Sequence, residues 1–337
     1  MAKRASLDDK LAAVRLLRDQ PDSPALVAAL RKAIGDRSNF LVAAGAEIAG
    51  DKRLVELASD LEAAYDRFLV DPVKTDKLCR AKLAIVEALD KMEHDRPETF
   101  QNAARHIQPE PVWEGLEDAA VPLRAAALLA LARIDAPGLL TLLVDRLNDP
   151  ERRISREPAD PERMVRIAAA QAIGYEGSEA AGLLLRLKAR VGDRDPDVVS
   201  ECLHGLLTIS HQANLGFVAS FLEPLDEARC EAAVMALGRS RLPEALEPLE
   251  ACWRRTRSPS LQEAILLAVA MLRAPRAIDG LLELVSGENS AHARMALSAL
   301  KIHRHDAKLT DRIAGVVAAR GDRALQLQLD RDFRTDE

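Results

Sequence analysis

Apolar positions along this chain return at three- and four-residue intervals in short bursts, each closed by polar or turn-forming residues. The clearest burst is Asp160-Pro-Glu-Arg-Met-Val-Arg-Ile-Ala-Ala-Ala-Gln-Ala-Ile-Gly174. Val165, Ala168, Ala169, Ala172 and Ile173 fall on one face of a helix with 3.6 residues per turn. Asp160 is placed to cap that helix, and Pro161 suits its first turn. Small alanines on the apolar face let a second helix approach closely.

The burst repeats. Going back 42 residues gives Asp118, Arg124, Ala126, Ala130 and Leu131, and going back another 42 gives Asp76, Lys82, Ala84, Ala88 and Leu89. Forward, the position of Ile173 is taken by Leu206, Leu237, Val269 and Leu300, at intervals of 31 to 33. Ala232-Ala-Val-Met-Ala-Leu-Gly238 nearly copies Ala168-Ala-Ala-Gln-Ala-Ile-Gly174, and Ala43-Ala-Gly-Ala-Glu-Ile48 is a looser version. A second apolar helix precedes each copy, most clearly at Pro137–Val144, Leu242–Leu249 and Pro275–Leu282. Asp71-Pro72, Asp195-Pro196, Ser258-Pro259 and Ser286-Gly287 punctuate the bursts as caps and turns. No alternating run of β-branched residues competes, so no strands are expected. The pattern predicts more than 70% helix, with Ala169, Ala172, Ala233 and Ala236 buried between helices.

Helix pairs of this period, with Asp-Pro, Val-Arg, Ala-Ala and Ala-Ile-Gly spaced along the second helix, resemble HEAT repeats. The closer likeness is to the short HEAT-like repeats of the phycobilin lyase type. It is firm over residues 119–302 and looser outside. The resemblance implies an all-α solenoid, a right-handed superhelix of about nine antiparallel helix pairs with second helices on the concave side. The expected organisation is one continuous stack: capping repeats over 1–50, central repeats over 51–302 with an insertion at 149–159, and capping helices over 303–337. Ser6–Gln20, with an apolar stripe of Leu7, Leu11, Val14 and Leu17, and the charged tail Asp330–Glu337 suit the wettable ends that a stack needs. Such repeats serve scaffolds, adaptors, chaperone-like lyases, DNA glycosylases and a di-iron hydroxylase, so the resemblance implies a fold more than a function.

Composition narrows the field. Aromatic residues make up 3% of the chain, leaving few rings to stack on bases or line a cofactor slot. Forty-seven basic and 53 acidic residues are interleaved to a net charge of −6, which gives no global field for gathering nucleic acid. The four cysteines, Cys79, Cys202, Cys230 and Cys252, are far apart in sequence and form no CxxC pair, pointing to a reducing compartment. The N-terminus turns polar too soon for a signal peptide, and no apolar run reaches the roughly 18 residues of a membrane span. The expected location is the cytoplasm.

Four constellations carry candidate chemistry. The pairs Asp76/Lys82, Asp118/Arg124 and Asp160/Arg166 keep one spacing in three successive units, and resemble the Asp–Arg ladder that ties neighbouring HEAT repeats. A row of cations facing a ligand is the alternative reading. Beyond Arg166 the slot holds Val199, Cys230, Gln262 and Ala293. Removing residues 149–159 brings the local period from 42 to 31. That insertion concentrates Arg152, Arg153 and Arg156, with Arg163 close behind, and guanidinium groups suit carboxylates or phosphates. Residues 149–166 nevertheless hold five arginines and five acids. Glu201, Cys202 and His204 bring together residue types that serve nucleophilic catalysis, but their slots put Cys202 in the core and His204 on another face. His303 and His305 offer two ligands to a metal that usually needs more. No His-Glu dipeptide, phosphate loop, GxSxG or HExxH is present. The expectation is a non-catalytic protein-interaction scaffold or adaptor without cofactor or metal. Its partner is a protein, bound through the concave face and edge loops, with Arg152, Arg153, Arg156 and Arg163 as candidate contacts. A nucleic-acid-binding HEAT protein or DNA glycosylase, and a chaperone-like subunit of a chromophore lyase, are the alternatives.

Overall fold

The structure, a computed structural model, describes residues 6–113, 115–147, 162–223, 226–287 and 289–333. The chain forms two compact units, Met1–Glu176 and Gly177–Glu337. It is 78% helical, as the repeating apolar bursts require.

The first unit contains α1 (Leu7–Arg15), α2 (Pro24–Ile34), α3 (Asn39–Asp51), α4 (Ala58–Arg67), the short α5 (Pro72–Thr75), α6 (Arg80–Lys91) and α7 (Pro97–Arg105). A hairpin of β1 (Pro109–Val112) and β2 (Gly115–Asp118) follows, then α8 (Val121–Arg133), α9 (Leu139–Leu147) and α10 (Glu162–Glu176). The second unit contains α11 (Glu179–Val191), α12 (Pro196–Ile209), α13 (His211–Ala219), α14 (Glu227–Ser240), α15 (Leu246–Arg255), α16 (Pro259–Leu272), α17 (Pro275–Ser286), α18 (Ser290–Leu300), α19 (Ala307–Arg320) and α20 (Arg323–Asp332).

Among the described residues these helices make four pairs in the first unit and five in the second, the nine HEAT-like pairs that the period implies. Second helices stack in series, α3 on α6, α6 on α8 and α8 on α10 in one unit, and α12 through α14, α16 and α18 to α20 in the other. Ala169, Ala172, Ala233 and Ala236 are all fully buried in this stack. How close the helices come is measured by Gly238, where an added Cβ would sit 2.6 Å from the Cα of Ala268. Gly50 on α3 is pressed the same way against Ala88 on α6.

Helix starts follow the sequence. Ser23, Ser178, Ser210 and Ser258 and the aspartates 195, 226, 306 and 322 each accept a hydrogen bond from an N–H of the first turn. Ser6 and Asp9 form a reciprocal capping box. Asp71-Pro72 starts only the four-residue α5, because Asp71 has left-handed backbone (φ 51°) and its carboxylate pairs with Lys74 instead.

The hairpin corrects the expectation that the chain holds no strands. Its register pairs Pro109 with Asp118, Glu110 with Glu117, Pro111 with Leu116 and Val112 with Gly115. Two prolines in a four-residue strand erase the usual strand signature. They are tolerated because Ala119 N–H donates to Gln108 O, which by alternation turns positions 109 and 111 away from β2, where no N–H is needed. Gly115, at φ 137°, adopts a backbone that other residues avoid and closes the turn.

Candidate functional site

The two units differ in what joins a first helix to its second helix. In the second unit the joins are short, at 192–195, 220–226, 256–258, 287–289 and 321–322. In the first unit α2 and α3 are joined by 35–38, but the next three joins are 68–79, 106–120 and 148–161. The 42-residue period of the sequence therefore has one cause repeated three times: each of these units carries an insertion at the same place in its pair. Sequence reading singled out only the third, which lies outside the described residues. The first folds as α5 with its flanking turns, the second as the hairpin.

Each described insertion is fastened by the aspartate that ends it. Asp76 is fully buried; its Oδ1 accepts from Ala81 N–H (2.8 Å) and its Oδ2 from Lys82 N–H (3.1 Å). Lys82, also fully buried, donates its Nζ to the same Oδ2 (3.0 Å). Asp118 repeats the arrangement: Oδ1 accepts from Gln108 N–H (2.9 Å) and Ala120 N–H (3.0 Å), and Oδ2 holds Arg124. Arg124 donates onward to His106 O (3.0 Å). The ionic pairs thus close within one repeat, clamping a loop onto the start of the helix that follows. Ties between neighbouring repeats run through amides instead. Asn39 reaches Asp76 Oδ1 (3.3 Å), and Gln108 Nε2 reaches Asp76 O (2.9 Å). A row of cations facing a ligand is excluded for Lys82 and Arg124, and Arg166 is buried as well. Its expected partner, Asp160, lies outside the described residues.

Burial alone would raise the Asp118 carboxyl, but the Gln108 N–H, the Arg124 charge and the Ala120 N–H outweigh it and hold it below the usual range. Burial lowers His106, with its bond to Gln108 opposing in part. Burial pushes the Cys79 thiol up to about 12, so it stays protonated against the clamp.

A cleft of about 770 Å³ opens beside the hairpin. Glu110, Val112 and Glu117 form one wall, Lys77 and Leu78 of the preceding insertion another, and Arg163 and Met164 of α10 a third. Leu78, Val112, Leu116 and Met164 are exposed, and Trp113 at the hairpin tip is 99% exposed. That corrects the expectation that both tryptophans pack beside first helices. Only Trp253 does so, edge-on to His292 at 5.1 Å. Leu78 and Cys79 both have positive φ, 61° and 50°. Left-handed backbone at such residues costs on the order of 1–3 kcal/mol each and concentrates at functional segments. Glu110 holds the strained turn in place: its Oε1 accepts from Leu78 N–H (2.6 Å) and from Gln108 Nε2 (2.7 Å).

Of the four arginines picked from the sequence, Arg163 stands in the cleft wall, while Arg152, Arg153 and Arg156 lie outside the described residues. The other constellations resolve into packing. Cys202 is fully buried, its thiol pushed up to about 12 by desolvation. Glu201 is held by Arg239 of α14 at 2.6 Å, with His204 3.7 Å away. Burial works to raise the Glu201 carboxyl, but His204 and Arg239 together bring it below its ordinary value. His303 turns to Ala270 O (2.9 Å) and His305 to Arg304 (3.2 Å), so they do not converge. Among the described residues no group of three or more His, Cys, Asp or Glu is arranged to hold a metal ion, and no helix is long and apolar enough to cross a membrane. Cysteines far apart in sequence do meet in one place: Cys230 and Cys252, on consecutive helices, have sulfurs 3.7 Å apart.

No family model matches the chain, and no curated protein matches it. Solved structures give distant likenesses. Human deoxyhypusine hydroxylase, in complex with glycerol, is 18% identical over 80% of this chain and 91% of its own, with a TM-score of 0.29. The complex of CpcE and CpcF of phycocyanin lyase from Nostoc sp. PCC7120 is 17% identical over 90% of this chain and 96% of its own, with a TM-score of 0.35. No residue role is carried over from either.

Sequence reading missed Glu110, Glu117, Trp113 and Leu78. The available signal was the period itself, since three units of 42 residues against a 31-residue norm imply three insertions.

Proposed function

We propose that this HEAT-like stack is a non-catalytic scaffold that binds a protein partner along the inserted edge of its first unit. The observation that carries the reading is the cleft between the first two insertions and α10, where Leu78, Val112, Leu116 and Met164 are exposed beside a fully exposed Trp113. Tryptophan and methionine at an exposed, clustered surface are enriched where proteins meet. The clamps make this edge rigid, and a pre-ordered surface loses less conformational freedom on binding. Mixed acids and bases around the cleft favour a protein over nucleic acid, whose phosphates call for a basic track. The buried, protonated Cys202 and the ion-paired Glu201 favour a packing role over a catalytic one. Four buried free thiols suit a reducing, cytoplasmic setting.

Trp113→Ala and Leu78→Asp, in proteins checked for unchanged circular dichroism, should each weaken partner association measured by crosslinking and quantitative mass spectrometry from the native host. Retained association in both would remove this edge from the binding surface and leave the second helices. Deleting 149–159 decides separately whether Arg152, Arg153 and Arg156 belong to that surface. We expect weaker association, with a melting temperature within a few degrees of the parent.

A further inference from the structure

Glu110 is 3% exposed and lines the cleft, yet its two oxygens are used unequally. Both of its hydrogen bonds, from Leu78 N–H and Gln108 Nε2, end on Oε1. Oε2 is buried with no partner. A glutamine oxygen would accept the same two bonds, so the fold does not need the negative charge at this position. A buried carboxylate oxygen without a donor is unfavourable unless something else completes it.

The residue directly across the hairpin is Glu117, also in the cleft wall. Like charges opposite one another on a strand pair repel. Among the described residues no lysine or arginine makes an ion pair with either carboxylate. Two facing carboxylates, one with a spare buried oxygen, are an arrangement that a cation completes. Leu78, Val112 and Met164, all exposed, provide an apolar rim against which an aliphatic stem can lie.

We infer that the cleft takes the basic side chain of an extended partner segment, a lysine or arginine, with its charge between Glu110 and Glu117 and its stem along Leu78, Val112 and Met164. This rests on the scaffold reading and names the chemistry of its partner. An arginine fits best, because its fork can meet both carboxylates at once.

The test uses the full chain with 13C-labelled methionine methyls, titrated with n-butylguanidinium and, separately, with n-butanol and butyrate. Butylguanidinium should shift the Met164 methyl and the Trp113 indole N–H saturably, and binding should weaken about ten-fold in Glu110→Gln as one charge-assisted contact is lost. Glu117→Gln, at an exposed position that folding does not depend on, should weaken it several-fold, and added salt should act in the same direction. Equal binding of n-butanol would show an apolar cleft only, and preference for butyrate would show an anion site at Arg163 and Lys77. Either result overturns the inference, as does butylguanidinium binding unchanged in both glutamine variants. Partner association lost in Trp113→Ala but intact in both glutamine variants overturns the inference while leaving the scaffold reading in place. If Trp113→Ala leaves association intact, the scaffold site fails, and the titration still decides whether the cleft takes a cation.

Discussion

The two units of the chain are built from the same helix pair, and they part ways at one slot. In the first unit the slot at the start of the second helix holds Lys82, Arg124 and Arg166, all buried, and a long join precedes each. In the second unit it holds Val199, Cys230, Gln262 and Ala293, and the joins are short. A short join needs no fastening, because the chain passes directly from one helix cap to the next. A long join leaves backbone donors and acceptors near the core, and a buried aspartate with its cation satisfies several of them at once. Buried charge in this fold therefore marks where chain has been inserted. Its energetic justification is the loop it holds, since a buried ion pair taken alone is weak evidence for stability.

Breaking a clamp is the most severe way to test that contrast. Asp118→Ala leaves Arg124 buried without its partner and releases the Gln108 and Ala120 N–H groups. Removing one member of a buried pair typically costs about 3–5 kcal/mol. Hydrogen exchange should place the loss in residues 106–133 and leave 227–300 as protected as before. Loss spread evenly through both units would show that the clamp serves the whole stack. Changing both partners, Asp118→Leu with Arg124→Met, should recover part of the stability, because no charge is then left unpaired.

Packing should respond alike in both units, which sharpens the contrast by showing what does not differ. Ala172→Leu in the first unit and Ala236→Leu in the second each enlarge a fully buried contact between helices. Each should lower stability by about 1–3 kcal/mol, read by chemical denaturation. If either variant melts like the parent, the phase assigned to that second helix is wrong.

Acid separates the units by a smaller amount. His106 titrates lower in the folded chain than its ordinary 6.5, so the unfolded chain takes up the proton first. The stability it contributes is complete above pH 6.5 and declines as the pH falls below that value. Asp118 is likewise lowered from 3.8, and its contribution persists until the pH drops through the folded value. In the second unit Glu201, lowered from 4.5, gives a loss confined to pH below 4.5. Mild acidification from pH 7 to pH 5 should thus loosen the first unit through His106, and His106→Asn should flatten that dependence in residue-resolved hydrogen exchange. A loss in this range centred on the helices around Glu201 would contradict the assignment.

How much of this was legible follows from what each element depends on. The helix pairs were readable because an apolar face repeats locally, and Ala169, Ala172, Ala233 and Ala236 announce the close contact by their size alone. The clamps were readable as residues and spacing, but their direction was not. Whether Asp76 meets Lys82 of its own repeat or a neighbour's cation depends on how the insertion folds back. The hairpin was hidden by Pro109 and Pro111, which depress a strand signal while being compatible with an outer edge. The facing of Glu110 and Glu117 depends on register, and the meeting of Cys230 with Cys252 on how two helices dock; neither is fixed by spacing. Arg163 was chosen for its charge next to an insertion and does stand at the cleft, but the apolar members around it come from three separate segments.

The central claim is that the inserted edge of the first unit, and not the plain helical surface of the second, is where a partner binds. The most direct measurement is the dissociation constant of the native partner for two variants of matched kind. Trp113→Ala strips the exposed ring from the inserted edge, and Leu183→Ala strips an exposed apolar side chain (62% exposed) from α11. The account predicts at least about a ten-fold weakening for Trp113→Ala, the range expected of a tryptophan anchor, and an unchanged constant for Leu183→Ala. Equal constants for Trp113→Ala and the parent, or a loss confined to Leu183→Ala, would contradict it.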